Sequence, residues 1–414
     1  MVAIRTTGGR FMSHVVIVGA GPAGASLGYL LSRRGIEVTL LERRRDFARE
    51  FRGEVLLPGG ITALEQMGLK SQLAALPSYA PQTLEFFLNG LPLLNESLNT
   101  DSADEQLFKA VSQPALLEML VAESTNSPSF NLIRGASVKE LIRDDGRIIG
   151  VRIRVDDAEQ ELQANLVVGA DGRNSVVRKQ AGLLAGHATL PMDIVWCKLP
   201  CPENWRGVRA YAGRGHLLIA YHTWDDTLQL GWVILKGTFG DLRNRGIEQW
   251  VEEMANHVSP DFAEHLRAHR DTVQKPFLLN VVSDCVDRWS TPGALVIGDA
   301  AHTMSPVGGQ GINIALRDAI VAANHLVPAL AVPEPDDNTL AAALAAIEAE
   351  RMPEIQEIQT LQAQPPKLLL SSAWWGEPVR RIAAMLLSKP AIRQRAAGRI
   401  SAFLYGVTKV QLEV

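Results

Sequence analysis

The chain has 414 residues, 41 Lys and Arg against 45 Asp and Glu for a formal charge of −4, and hydrophobic and charged fractions of 47% and 21%. That composition excludes a mainly disordered chain, and the near-neutral charge removes a global electrostatic case for binding nucleic acid. At about 150 residues per domain, the length fits two or three domains or one composite fold.

The first residues, Met1 to Ser13, carry Arg5 and Arg10 but no apolar stretch long enough for a signal peptide. No run of about 18 apolar residues occurs, so no spanning helix is expected and the expected location is cytoplasmic. Cys197, Cys201 and Cys285 are the only cysteines. An odd count without a second C-x-x-C-like pair argues against a disulfide framework or a zinc site, so idle thiols in a reducing compartment and no metal are expected.

In chain order, His14 to Gly19 is apolar, β-branched and stopped by glycine, the pattern of a short buried strand. Pro22 to Arg34 then reads as a helix with Leu27, Leu30 and Leu31 on one face and Gly35 as its stop. Ile36 to Glu42 is a second strand, so the chain opens with a parallel strand, helix, strand unit joined by a right-handed crossover. Helices follow near Ile61 to Met67 and from Pro114 to Ser124, and Val138 to Asp156 reads as a hairpin turning at Asp145-Gly146. Leu162 to Val168 is a strand leading into Gly169-Ala170-Asp171-Gly172. From about Ala185 to Asn280 strand-like alternation and aromatics dominate (Trp196, Tyr211, Tyr221, Trp224, Trp232), with a hairpin turn at Asp225-Asp226 and a helix near Ile247 to His257. Ala294 to Gly298 is again a buried strand, Gly311 to Ala331 a long helix, Pro333 to Asp337 a linker, Leu340 to Leu361 a helix, and Lys367 to Val414 two more helices.

The expected fold is therefore α/β: a discontinuous Rossmann-type domain over 14–184 and 281–332, interleaved with an antiparallel-sheet substrate domain over 185–280, to which 75–112 contributes, and a helical segment over 333–414. Gly19-Ala20-Gly21-Pro22-Ala23-Gly24 fits G-x-G-x-x-G between strand and helix. Its first glycine permits the tight turn, its second lets a pyrophosphate approach the backbone, and its third lets helix and strand pack closely. Pro22 and Ala23 complete the turn, whose free N–H groups and positive dipole suit phosphate. Glu42 ends the second strand, where a carboxylate can accept both ribose hydroxyls; Arg43 follows it.

Two later motifs decide between dinucleotides. Gly169-Ala170-Asp171-Gly172-Arg173-Asn174-Ser175-Val176-Val177-Arg178 opens a helix after one strand. Gly298-Asp299-Ala300-Ala301-His302 follows another, with Pro306 and Gly308-Gly309-Gln310-Gly311-Ile312-Asn313 close behind. With these three motifs in order, residues 14 to 330 resemble the class A flavoprotein monooxygenases, the group of the hydroxybenzoate hydroxylases. The resemblance implies bound FAD, with its pyrophosphate on Gly19, Gly21 and Gly24, its adenosine ribose on Glu42, its ribityl chain on Asp299, the turn from Pro306 to Gly308 beside its reactive edge, and the N–H groups of Gly311, Ile312 and Asn313 at its pyrimidine end. Asp171 and Arg178 belong to a motif the family associates with both FAD and NAD(P)H; for Arg178 a salt bridge from strand to helix is the equal alternative. Many relatives place an arginine before the helix near Pro114; Gln113 stands here, able to bond the flavin without charge. Arg52, in Arg52-Gly53-Glu54 before Pro58-Gly59-Gly60, resembles a segment of squalene epoxidase-type relatives and is a further cofactor contact.

A second Rossmann glycine motif is missing, which fits a transient NAD(P)H donor. The chemistry implied is hydroxylation of an aromatic compound, phenolic or polycyclic, by dioxygen activated on the reduced flavin. Alternatives are an epoxidase or hydroxylase of an isoprenoid or quinone precursor, and a flavin reductase without oxygen insertion. Tyr211, His216, Tyr221, His222 and Trp232 are candidate substrate contacts, with Pro306, His222 and Tyr221 the catalytic candidates; strand alternation keeps Tyr221 and His222 from sharing a face. His302 reads as structural. The basic, apolar stretch around Trp374-Trp375 and Arg380-Arg381 has two readings, a membrane-surface helix suited to a lipid-like substrate or a cover for the substrate domain or a dimer contact. Monomer and homodimer both remain open.

Overall fold

The computed structural model describes residues 13–48, 54–98, 108–188, 190–213, 215–273, 276–369, 401–402 and 404–414. Arg52 and the stretch around Trp374-Trp375 and Arg380-Arg381 lie outside the described residues. The chain folds as mixed α/β layers around two large sheets. The first runs Ser290–Thr291, Ala294–Val296, Leu166–Gly169, His14–Val18, Glu37–Glu42, Phe130–Arg134, parallel throughout except at its first pair. Its central strands are apolar along their length because both faces are covered. The helix Pro22–Ser32 packs against Gln310–Leu330 and Gln113–Thr125. On another side the meander Ala136–Asp144, Arg147–Val155, Ala158–Gln163 lies against the sheet.

The expected strand from Leu162 to Val168 is in fact two. Ala158–Gln163 closes the meander, and Leu166–Gly169 enters the parallel sheet. The break falls at Ala164-Asn165, where the Asn165 side chain accepts the His14 N–H at 2.8 Å and turns the chain from one sheet to the other.

The second sheet runs Phe277–Leu279, Met192–Pro200, Thr227–Leu235, His216–His222, Gly207–Gly213, Thr83–Leu88, Leu91–Ser97. It is antiparallel except where Gly207–Gly213 pairs with Thr83–Leu88. One face is covered by the helices Ile247–Ala255 and Pro260–Ala268, which bury Trp250, Met254, Phe262 and Leu266 against Cys197, Tyr211, Leu218, Leu230 and Trp232. Full burial of side chains such as Met254 and Phe262 contributes roughly 1.5–3 kcal/mol each, which seats the helices on that face. The three cysteines are free; burial pushes the Cys197 thiol up to about 12, so it stays an inert SH.

The helix Asp337–Leu369 ties the layers together through a buried chain of charges. His302 Nε2 and the Asp318 carboxylate lie 2.7 Å apart, Arg351 Nε donates to Asp318 at 2.8 Å, Arg351 also bridges to Glu354, and Arg317 donates to Glu354 at 2.7 Å. Arg317 continues to the Tyr405 carbonyl at 3.0 Å, and Val407 N–H donates to Glu354 at 2.8 Å, so the C-terminal residues close the network. Burial alone would raise both carboxyls, but His302 and Arg351 hold Asp318, and Arg351 and Arg317 hold Glu354, below the ordinary range. Their contribution is thus present above the unfolded carboxylate pKa and is lost as pH falls through the lower folded values. Arg351→Met leaves two buried carboxylates short of a partner and is expected to cost about 3–5 kcal/mol at neutral pH. The deficit should narrow in acid, where protonation removes the uncompensated charge; urea melts of both proteins across pH 4 to 8 check it.

Candidate cofactor and substrate site

The three glycines of the first turn have three different surroundings. Gly19 has φ +99°, and a Cβ there would sit 2.5 Å from the Ala170 carbonyl oxygen. At Gly24 a Cβ would come within 2.0 Å of the Gly19 carbonyl oxygen, so helix and turn touch backbone to backbone. Gly21 is the opposite: nothing lies within 4 Å of its would-be Cβ, although it is the N-cap of the helix Pro22–Ser32 and offers no side-chain cap. The first-turn N–H groups therefore look out over open space, the arrangement that accepts a phosphate. Glu42 is buried beside this turn and accepts N–H groups from Ala20 at 3.2 Å and Arg44 at 2.9 Å, which anchors the carboxylate at the strand end. Arg43 is exposed at the strand end.

The other motifs meet the same edge of the sheet. Gly298 packs so close to the glycine-turn helix that a Cβ would lie 3.0 Å from that of Ala23. Asp299 follows with a partly exposed carboxylate 3.4 Å from Arg173. Pro306, half-buried, precedes the turn Val307–Gly309, in which Gly308 (φ +76°) and Gly309 (φ +64°) bend the chain into the helix Gln310–Leu330. Gly311 there is exposed and has nothing near its would-be Cβ, Ile312 is buried, and the Asn313 side chain is a clasp: Oδ1 accepts Leu57 N–H at 2.9 Å while Nδ2 donates to the Gly309 and Val55 carbonyls at 2.9 and 3.2 Å. Asn313 thus keeps its side-chain amide for the fold. Gln113 is buried at the first residue of its helix.

Asp171 and Arg178 both have partners within the fold. Asp171 serves its own helix: Oδ1 accepts the Ser175 hydroxyl at 2.5 Å and Oδ2 the Val176 N–H at 2.6 Å, satisfying donors that a helix start leaves open. Arg178 donates to the Arg173 carbonyl at 2.7 Å and lies 3.6 Å from Asp284, which is the salt-bridge alternative.

The substrate candidates separate by strand parity. Tyr211 stacks on Phe87 and Phe262, and His216 stacks on His257 near Trp232, all under the helices. His222 shares their parity, pairs with Leu228 of the same helix-covered core, and lies with its ring against Tyr79. Tyr211, His216, His222 and Trp232 are therefore not on the face opposite the helices. Tyr221 is. That face carries Ile194, Trp196 and Lys198 on one strand, Gln229, Gly231 and Val233 on the next, and Leu217, Ile219 and Tyr221 on the third. Val307, from the turn after Pro306, packs against its Ile194 and Val233 end. Trp196 lies flat over Gly231, where a Cβ would fall 2.7 Å from the indole.

Residues 12–351 match the family model described as an FAD binding domain. The chain is 33% identical over 383 residues, 92% of its length and 90% of the relative's, to 6-methylpretetramide 4-monooxygenase of Streptomyces rimosus. It is 30% identical to kynurenine 3-monooxygenase of Stenotrophomonas maltophilia, over 83% of this chain and 77% of that one. The solved structure of PqsL, a probable FAD-dependent monooxygenase from Pseudomonas aeruginosa, aligns with a TM-score of 0.74 at 25% identity over 87% of this chain and 97% of its own. The chain belongs to the FAD-binding domain family. It is an FAD-dependent monooxygenase, and the open cradle at Gly21 and Gly311 fits that cofactor.

Two residues beside these motifs and this sheet face escape a reading of the sequence. Gln362 brackets the turn after Pro306, donating to the Ser305 and Val307 carbonyls at 2.8 Å each and accepting Ser305 N–H at 3.1 Å. Lys198 is a buried cation 3.0 Å from Asp225 and 3.7 Å from Glu54. Its only sequence signal is a charge interrupting an apolar strand, Ile194 to Leu199.

Two paired substitutions test the cofactor half of the site. Gly21→Ala should leave the stability of the apoprotein within about 0.5 kcal/mol and weaken FAD at least about tenfold, whereas Gly24→Ala should disturb folding itself. Asp299→Ala should release flavin with little loss of stability, and Asp171→Ala should cost about 0.5–2 kcal/mol while retaining FAD. Flavin absorbance after gel filtration and thermal melts of the apoproteins read both pairs.

Proposed function

We propose that this flavoprotein hydroxylates a phenolic aromatic compound of more than one ring, with dioxygen as co-substrate and NAD(P)H as transient hydride donor. The observation that carries the reading is the sheet face opposite the helices. From Ile194 to Lys198 it runs about 13 Å at strand spacing, apolar along most of that length and polar at one end. Trp196, Leu217 and Ile219 on it are only partly buried, and Gly231 keeps it flat. The likeness to 6-methylpretetramide 4-monooxygenase over nearly the whole of both chains supports the same class of substrate.

Bound FAD supplies the redox chemistry, accepting hydride and activating dioxygen. The residues of the chain do the rest. Gly19, Gly21, Gly24 and Glu42 hold the adenosine half, and Asp299 the ribityl chain. The N–H groups of Gly311 to Asn313, at a helix N-terminus, meet the pyrimidine end, where positive dipole stabilises the charge of a reduced ring. Pro306 and Val307 form the wall between that ring and the sheet, excluding water that would otherwise divert the reaction to peroxide. Trp196, Leu217 and Ile219 hold an aromatic plane against this wall, and Tyr221 stands at its polar end.

The purified protein should show oxidised-flavin absorbance. Anaerobic reduction by NADH or NADPH should quicken when a fused-ring phenol is added, and oxygen-18 from labelled dioxygen should enter the product as one atom. Reduction without label in any product would assign a reductase instead, and a colourless protein that takes up no FAD would remove the reading altogether.

A further inference from the structure

At the polar end of the sheet face, buried polar atoms accumulate without partners. Glu54 Oε2 and Gln229 Oε1 are shielded from solvent with no donor in hydrogen-bond geometry among the described residues, and the buried Trp224 Nε1 faces the Glu54 carboxyl. They lie around one point. Gln229 pairs across the sheet with both Lys198 and Tyr221, Lys198 reaches Glu54 at 3.7 Å and sits 5.7 Å from the Trp224 ring centre, and Tyr221 feels the charge of Glu54. Buried unsatisfied groups are rare and call for an occupant. Both open atoms are acceptors. Their complement is a hydroxylated ring that gives a proton to a carboxylate.

The position suits the chemistry. Glu54 directly precedes Val55, whose side chain lies 3.6 Å from the would-be Cβ of Gly309 and whose carbonyl is held by Asn313. The Glu54 carbonyl is pinned by Val111 N–H at 2.6 Å. The carboxylate therefore stands between the turn beside the flavin and the substrate face. We propose that Glu54 is the general base of the hydroxylation, its Oε2 accepting the proton of the substrate's phenolic hydroxyl; this rests on the aromatic reading above. As the ring takes up oxygen, the phenolic O–H bond breaks, the proton passes to Oε2, and the bonding pair stays on the phenol oxygen and feeds the ring. Glu54 gives the proton back to water when product leaves.

The surrounding charges are arranged for this. Burial raises the proton affinity of Glu54 and the Asp225 charge adds to it, while Lys198 and the Trp224 N–H oppose them only in part. Burial would raise Asp225 too, but the Thr223 and Thr227 hydroxyls and Lys198 hold it at about 2, so it stays ionised and takes up much of the lysine's field. Burial and the Glu54 charge push Tyr221 well above its usual value, leaving it a neutral hydrogen-bonding phenol and not a competing base. A carboxylate with raised affinity is a better match to a phenol than an exposed one.

The test uses the holoenzyme and 1,8-dihydroxyanthraquinone as probe. The infrared carboxyl band of Glu54, assigned by its loss in Glu54→Gln, should shift when the probe binds, and Lys198→Met should move its titration to higher pH. Glu54→Gln keeps an acceptor oxygen, so the probe should bind within about threefold of wild type, while hydroxylation of a turned-over phenol falls about 10²–10⁴-fold and loses its acid limb. Glu54→Asp should restore part of the rate and the limb with it. A probe that binds without shifting the Glu54 band, or a Glu54→Gln enzyme that hydroxylates at the wild-type rate, overturns the assignment alone. Failure of fused-ring phenols to bind wild-type holoenzyme overturns the substrate reading, and this assignment falls with it.

Discussion

Backbone contact between helix and turn at Gly24 is the constraint on which the cofactor site depends. With 2.0 Å between a would-be Cβ and the Gly19 carbonyl oxygen, only hydrogen fits, and the helix Pro22–Ser32 is drawn down onto the end of the strand His14–Val18. That approach fixes where the first-turn N–H groups point. It also brings Ala23 against Gly298, so the motif carrying Asp299 joins the same edge although its strand is two places away in the sheet. Because Gly21 is open where Gly24 is closed, one turn supplies both a packing joint and an anion cradle, and the two duties fall on different glycines.

The substrate side is governed by a different economy, that of strand alternation. Period-two side chains give the seven-stranded sheet two unlike faces. One face is a closed aromatic and aliphatic core under two helices. The other is apolar near Val307 and polar at Lys198, Gln229 and Tyr221. A cation mid-strand is costly to bury unless paired, and Lys198 is paired twice. The pairing leaves the Glu54 carboxylate only partly compensated, and that residual imbalance is what distinguishes this end of the face from an ordinary structural ion cluster.

This division explains what could be read from the residues alone. The places of the glycine turn, Glu42, Asp299 and the Gly311 helix start at one edge of the sheet were legible because local spacing and the strand ends they follow set them. Tyr211, His216 and Trp232 read as pocket aromatics, yet parity and the two helices claim them for the core. Nothing local to one strand says which face a helix many residues later will cover. Asp171 shows a related ambiguity: a carboxylate after a strand can serve a ligand or its own helix, and here Ser175, four residues on, and the Val176 N–H both bond to it. Glu54 and Lys198 meet only through the packing of segments more than a hundred residues apart, a contact without sequence spacing to reveal it.

The helix Asp337–Leu369 shows the same limit from the other direction. Its Ala- and Glu-rich sequence resembles a solvated surface helix, but its inward side carries Arg351, Glu354, Gln359 and Gln362. Gln359 donates to the Asp284 and Thr303 carbonyls, and Gln362 grips Ser305 and Val307. Arg351 and Glu354 lock the same helix to Asp318 and Arg317 on the helix Gln310–Leu330. One helix thus fixes both the turn Val307–Gly309 and the helix Gln310–Leu330 that follows it. On the proposed reading, the spacing between wall and sheet follows from a set of buried hydrogen bonds well outside the nucleotide motifs.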